Sequence, residues 1–319
     1  MSFTPDMHYE LMVRAAYYYY ECEYTQTKIA EMLGISRLTL GRILKEAKDT
    51  GVVKIEITDS RNLTSMIELE SGLCRRFNLR SAIVADCLSD SGRDRSRAIA
   101  AAAAGYIARS MRSGMKVSIG WGRTMNMMVD GLTSDRAVKD IEVMTLMGGG
   151  GTTDTTVQPG MLAGNFLHRY SGNGYVINAP FFCSSADVCA QLREEASVKD
   201  IIARCFESDM ALVGIGEQPS FDESYWARYS YGDETLQKII DAGAVGDICG
   251  NYFDVDGRPC CPEINRRLVG VTLPDVQKLS HVVALAGGDD KIAAVRAALN
   301  GGYVNVLITD RYTAKAVLA

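Results

Sequence analysis

The chain has no run of about 18 apolar residues, so no membrane-spanning helix is expected. Its first residues, MSFTPDMHYEL, lack the basic start and apolar stretch of a secretory signal. Histidine is scarce, and His8, His168 and His281 lie far apart, which argues against a His/Cys metal site. The nine cysteines are odd in number and include no CxxC pair. Cys260 and Cys261 are adjacent, a poor geometry for an ordinary disulfide, so a reduced, cytoplasmic interior is the expectation. Neither a GxSxG elbow nor HExxH occurs, and no general base stands out, so no catalytic residue is assigned. The Walker spacing and a full GxGxxG are missing too, which disfavours nucleotide binding. The net charge of −5 is not that of a protein coated in nucleic acid.

What is present is a chain of 319 residues, 47% hydrophobic and 23% charged. That length and composition predict two or three folded domains with a sizeable core rather than disorder. The charge is uneven. Between Thr25 and Lys54 six basic residues (Lys28, Arg37, Arg42, Lys45, Lys48, Lys54) face three acidic ones (Glu31, Glu46, Asp49), a local basic footprint on an acidic protein.

The same stretch holds the sharpest local pattern. Residues 26–45, QTKIAEMLGISRLTLGRILK, read as two short helices joined by a tight turn. Thr25 and Ser36 are placed to cap them, Gly34 supplies the positive φ of the turn, and Ala30 permits close approach. Ile29, Leu33, Ile35, Leu40 and Ile43 are the apolar clamp. This is the helix-turn-helix arrangement, whose second helix enters the DNA major groove. The candidate DNA-binding residues are Thr25, Gln26, Ser36, Arg37, Thr39, Arg42 and Lys45, with Arg37 and Arg42 best suited to guanine edges. A helix is expected over 7–23, where the run Tyr17–Tyr20 either packs beneath the motif or stacks on bases, the packing being the favoured reading. VVKIEI (52–57) alternates like a strand and is expected to form a wing.

The expected domains are residues 1–57 as a winged helix-turn-helix, 58–80 as a linker and connecting helix, and 81–319 as an effector-binding domain. From about residue 80 apolar strands alternate with helices. Strands are expected at 81–86, 116–120, 141–148, 174–180, 209–216, 281–288 and 304–310, and helices at 93–113, 187–206, 233–242, 289–300 and 311–318. Such alternation predicts an α/β fold with a mostly parallel sheet covered on both faces.

Ligands of open α/β sheets bind at the carboxyl ends of strands, and several strands here end in glycine. In IGWGRT, Gly120, Trp121 and Gly122 lead into a helix opened by Arg123 and Thr124, a natural phosphate seat or else a tight turn with a solvated arginine. Gly149 belongs to a Gly/Thr loop that either approaches a sugar or is simply flexible. Gly214 and Gly216 end another strand. Asp247, between glycines, either accepts bonds from sugar hydroxyls or staples a turn. Lys291, expected in the first turn of a helix, opposes the helix dipole and so either serves an anion or is a solvated surface lysine. Together these form a polar pocket suited to a phosphorylated small molecule.

These residues carry a resemblance. Over nearly its whole length the chain resembles SorC-type (SorC/DeoR) bacterial transcriptional regulators, through YYYYECEYTQTKIAEMLGISRLTLGRILKEAKDTGVV, IGWGRT, LVGIG, GAVGDICGNYFDVDG, AGGDDKIAAVRAALNGG and NVLITD. The resemblance implies a winged helix-turn-helix joined to a domain like the sugar-phosphate isomerases. It implies double-stranded operator DNA as partner, a phosphorylated sugar or polyol as effector, and dimers assembling to tetramers. No cofactor is implied. Gly120–Thr124, Gly214–Gly216, Asp247 and Lys291 match effector-pocket segments of the family, whereas the Gly/Thr loop is more variable there. Residues 58–80 are the expected moving element. The alternative from another class is a sugar-phosphate isomerase-like enzyme with an accessory DNA-binding module.

Overall fold

The computed structural model describes residues 5–55, 59, 63–87, 91–135, 137–150, 155–221 and 231–319. The chain divides into two compact units, Met1–Arg61 and Asn62–Ala319. No helix among the described residues is long and apolar enough to cross a membrane.

The first unit holds α1 (Pro5–Ala16), a π-helical turn at Tyr17–Glu21, α2 (Gln26–Leu33) and α3 (Arg37–Asp49). The short-range signals act as their chemistry predicts. The Thr25 hydroxyl accepts from Lys28 N at the start of α2, and Ser36 Oγ accepts from Thr39 N at 3.0 Å at the start of α3. Gly34 ends α2 at φ 65°, and Gly51 follows α3 at φ 78°. Ile29, Leu40, Ile43, Leu44 and Ala47 close on Met12, Ala15 and Ala16 of α1 in one core. Tyr18, Tyr19 and Tyr20 pack against this core, while Tyr17 is exposed. Tyr18 stacks on Tyr24, and Lys28 Nζ lies 3.5 Å above the Tyr24 ring. The expected wing differs: residues 52–55 form no strand, and 56–57 lie outside the described residues. Val52 and Val53 are instead drawn onto the helical core.

The second unit opens with α4 (Leu63–Phe77), which buries Met66 and Leu73. Its sheet contains β1 (Ser81–Ala85), β2 (Lys116–Ile119), β3 (Ile141–Thr145), β4 (Gly172–Tyr175), β5 (Met210–Gly214), β8 (Val282–Leu285) and β9 (Val306–Asp310). The order is β1-β9-β8-β5-β2-β3-β4, and every pairing is parallel. Every residue of β8 and β9 is buried, as strands covered on both faces must be. One face is covered by α5 (Gly92–Ser110), α6 (Arg123–Asp130) and α7 (Pro159–Arg169). On the other, α4, α9 (Ala196–Cys205), α10 (Asp233–Asp241), α11 (Ile292–Asn300) and α12 (Arg311–Leu318) contribute to a second core. The hairpin β6 (Gly246–Ile248) with β7 (Asn251–Phe253) is antiparallel and stands apart from the sheet.

Three expected elements shift. The strand expected at 174–180 is β4 at Gly172–Tyr175, and the chain then leaves the sheet with Ile177 N donating to Thr145 Oγ1. Of residues 176–180 only Ile177 is buried, and with Ala179 it packs against the helices Ala186–Glu194 and Ala196–Cys205 rather than against strand neighbours, a difference that hydropathy cannot distinguish. The helix expected over 187–206 is two, α8 (Ala186–Glu194) and α9, broken where Glu195 turns extended at ψ 130°. Lys291 is not inside the α-helix. It ends a 3-10 turn, Asp289–Lys291, that precedes α11.

Candidate functional site

The strand order defines where a ligand can enter. After β2 the chain runs outward to β3 and β4, then returns so that β5 pairs on the other side of β2. The carboxyl ends of β2 and β5 therefore flank a topological switch point, the usual ligand crevice of such sheets. Gly120 and Gly122 follow β2, while Gly214 closes β5 and Gly216 lies two residues beyond it. A Cβ on Gly214 would lie 3.4 Å from the Trp121 carbonyl, and one on Gly120 would press Cys249 Sγ at 3.3 Å. Gly122, at φ 131°, is the N-cap of α6 and as glycine brings no side-chain cap of its own. Its first turn carries exposed Arg123 and half-buried Thr124.

The floor of the crevice comes from far along the chain. A Cβ on Gly216 would meet Asp247 Oδ1 at 1.8 Å, so the carboxylate occupies the space that glycine leaves. Gly216 N also donates to the Asp247 carbonyl at 2.8 Å. Asp247 Oδ2 accepts from Gly250 N at 2.8 Å, while Oδ1 is buried without a hydrogen-bond partner among the described residues. Burial pushes the Asp247 carboxyl up to about 6, against the Gly250 bond and the charge of Lys291. Lys291 Nζ donates to the Ile215 carbonyl at 2.8 Å. Burial holds its ammonium below the usual lysine range, opposed by Glu217, Asp290 and Asp247. Glu217 is raised by burial and by its hydrogen bond to Asp290.

The structure thus gathers Gly120, Trp121, Gly122, Arg123, Thr124, Gly214, Gly216, Asp247 and Lys291 at one end of the sheet. Gly149 is placed differently. It lines an adjacent cavity of about 570 Å³ with Gln158, Met161, Ile177 and Pro180. Gly150 separates the two, with its missing Cβ 3.2 Å from the Trp121 ring and 3.1 Å from Phe181. Gln158 clamps Gly150 by donating to its carbonyl and accepting from its N–H, both at 2.8 Å. Residues 151–154 of the Gly/Thr loop lie outside the described residues. Glu217, Asp290, Cys249, Phe181 and Gln158 were not assigned from sequence. Glu217 and Asp290 carried a signal, since each adjoins an assigned residue. The other three are placed by tertiary packing alone.

In the first unit Gln26, Arg37, Leu38, Gly41, Arg42 and Lys45 line one cleft of about 510 Å³. Leu38 is 75% exposed, unusual for leucine, and Gly41 one turn on leaves the surface beside it open. Thr25 and Ser36 are engaged as caps, and the Thr39 hydroxyl is 2.8 Å from that of Ser36. These three hold the helix ends rather than line the cleft.

Residues 61–319 match the Sugar-bind family of sugar-binding domains. The chain is 34% identical to the transcriptional regulator LsrR of Klebsiella pneumoniae, over 97% of this chain and 93% of that protein. It is 30% identical to the deoxyribonucleoside regulator of Bacillus subtilis, over 97% of each. The chain belongs to the SorC/DeoR family of transcriptional regulators. Its fold superposes on the full-length sorbitol operon regulator SorC of Klebsiella pneumoniae with TM-score 0.75 and 26% identity, covering 97% of this chain and 99% of that one. The SorC-type chain is accordingly a transcriptional regulator with a sugar-binding domain, not an isomerase-like enzyme.

Proposed function

We propose that this SorC-type regulator binds operator DNA as a two-fold dimer, assembling to tetramers, and that a phosphorylated sugar or polyol controls it from the β2/β5 crevice. The observation that carries the effector reading is the meeting of a glycine-opened helix start and Arg123 with Lys291 and the buried Asp247 at the switch point. A helix N-terminus and two cations suit a phosphate, and carboxylates suit sugar hydroxyls. The names of the relatives, a sorbitol operon regulator and a deoxyribonucleoside regulator, point to the same chemistry. On the DNA side α3 lies in the major groove, with Arg37 and Arg42 on guanine edges and Lys45 on phosphate.

An effector shifts DNA binding only if it distinguishes two arrangements of the assembly. Residues 58–80 remain the proposed moving element. Within them α4 packs on β1 and α12, which ties that segment to the sheet.

The test is a thermal-shift screen of the purified protein against matched sugars and sugar phosphates. A ligand at about 100 times its Kd adds roughly 2.7 kcal/mol, a shift of several degrees. A shift with the phosphorylated member of a pair alone supports the reading. Equal shifts with both members remove the phosphate from it.

A further inference from the structure

The adjacent cysteines beyond β7 have no part in the proposed function. Their thiols touch: the sulfurs of Cys260 and Cys261 are 3.8 Å apart. A pyramidal soft centre joined to two thiolates by bonds of about 2.3 Å at an angle of about 95° holds those sulfurs roughly 3.4 Å apart. The pair therefore stands within a few tenths of an ångström of the bite of such a chelate.

The backbone holds that bite in place. Cys260 N donates to the Tyr252 carbonyl at 3.1 Å, and Asn265 Nδ2 donates to the Cys260 carbonyl at 2.7 Å. The Cys261 carbonyl accepts from Ile264 N and Asn265 N, each at 2.9 Å. Cys261 is left-handed at φ 55°, and Pro262 begins the helical turn after it. Cys260 is half-buried and gives entry, while Cys261 is buried behind it. The contrast with other cysteines is clear. Cys183 and Cys189 also reach each other by a side-chain hydrogen bond, but both are buried, with the Cys189 thiol donating to the Leu268 carbonyl. Cys22 and Cys74 are half-buried, and each is bordered in sequence by other residue types.

We propose that Cys260 and Cys261 form a dithiol site that captures trivalent arsenic compounds. Soft thiolates favour soft centres, and an organoarsenical supplies its own third substituent, so two protein ligands suffice. In the capture of an arsine oxide, both S–H bonds and the As=O bond break, and two As–S bonds form. The two thiol protons leave with the oxygen as one water. Arsenic stays trivalent, and nothing is oxidised or reduced. The site sits on the hairpin that carries Asp247, because Cys260 bonds Tyr252 and Tyr252 stands opposite Asp247 in the β6–β7 register.

The test uses the reduced full chain, phenylarsine oxide at one equivalent, and excess monothiol, read by intact mass. The expected result is a single phenylarsenic adduct that survives the monothiol and is removed by ethane-1,2-dithiol. Peptide mapping of the wild-type adduct should place it on the segment holding both cysteines. Cys260→Ser and Cys261→Ser should each reduce the resistant adduct to background, and Cys22→Ser should retain it. No resistant adduct, an adduct mapped to other cysteines, or one kept by both serine variants would overturn the assignment. The mapping is made on the wild type, so it stands even where a variant folds poorly.

Discussion

Gly216 and Asp247 share one volume: Asp247 Oδ1 lies 1.8 Å from the point where a Cβ on residue 216 would be. The contact joins the end of the β5 segment to the β6–β7 hairpin. Gly216→Ala must move a buried carboxylate or the backbone that bonds it. The expected cost is about 1–3 kcal/mol, as for overpacked cores. Chemical denaturation of the two proteins at neutral pH checks this, and an unchanged midpoint would show that the hairpin yields freely.

Asp247 should make stability depend on pH in a direction opposite to that of a salt-bridged carboxylate. Its folded pKa is raised to about 6 from 3.8. Below the unfolded value both states are protonated and the group contributes nothing. As pH rises through the window from about 4 to 6, the unfolded state ionises first and stability is lost. Above 6 the full penalty is present, on the order of 3 kcal/mol. Asp247→Asn keeps the acceptor for Gly250 N but cannot ionise. Its stability relative to wild type should rise between pH 4 and 7, and a difference that stays flat across that range would contradict the buried, hard-to-ionise carboxylate.

Lys291→Gln should remove discrimination between a sugar phosphate and its free sugar. Gln retains a donor for the Ile215 carbonyl but no charge. Loss of a charged hydrogen bond of about 1.5–3 kcal/mol corresponds to roughly 10- to 150-fold weaker phosphate binding. Operator affinity without effector should stay within about twofold. Isothermal titration with a phosphorylated ligand found by the screen measures the first, and fluorescence anisotropy of labelled operator the second. Retained discrimination would take Lys291 out of the anion site.

On the reading surface, Arg37→Ala should weaken operator binding by about 1–3 kcal/mol while affecting random DNA much less. Equal losses on both DNAs would assign Arg37 to phosphate. Leu38, 75% exposed, should behave alike for a different reason. Leu38→Ala should leave stability within about 0.5 kcal/mol yet lower operator affinity, consistent with an apolar contact to a thymine methyl. Gel-shift titrations on operators with thymine replaced by uracil, which lacks that methyl, separate the effects.

Much of the first unit was legible because its signals are short-range. Thr25 reaches Lys28, Ser36 reaches Thr39, and Gly34 turns the chain where it stands. Each bond spans at most a few residues, so the sequence carries it openly. The strand–helix alternation was legible for a related reason, since strands buried on both faces must be continuous apolar runs. Residues 176–180 misled because Ile177 and Ala179 pack against α8 and α9, and cover by helices asks for the same residue types as burial in a strand. The wing expected over 52–57 misled in its described part because alternation predicts a strand only where a partner strand is available to pair with it.

The sequence by itself determined the helix-turn-helix, the family resemblance and the glycine-ended strands that point to the crevice. Only the tertiary structure decided what those glycines face. Strand order puts β5 beside β2, and packing carries Lys291 to Ile215 across 76 residues of chain. The hairpin seats Asp247 against Gly216, and the fold pairs Glu217 with Asp290 and moves Gly149 into a neighbouring cavity. The reason is physical: caps and turns are set by bonds between near neighbours, whereas a crevice is set by which distant strands pair, and pairing is a property of the whole packed core.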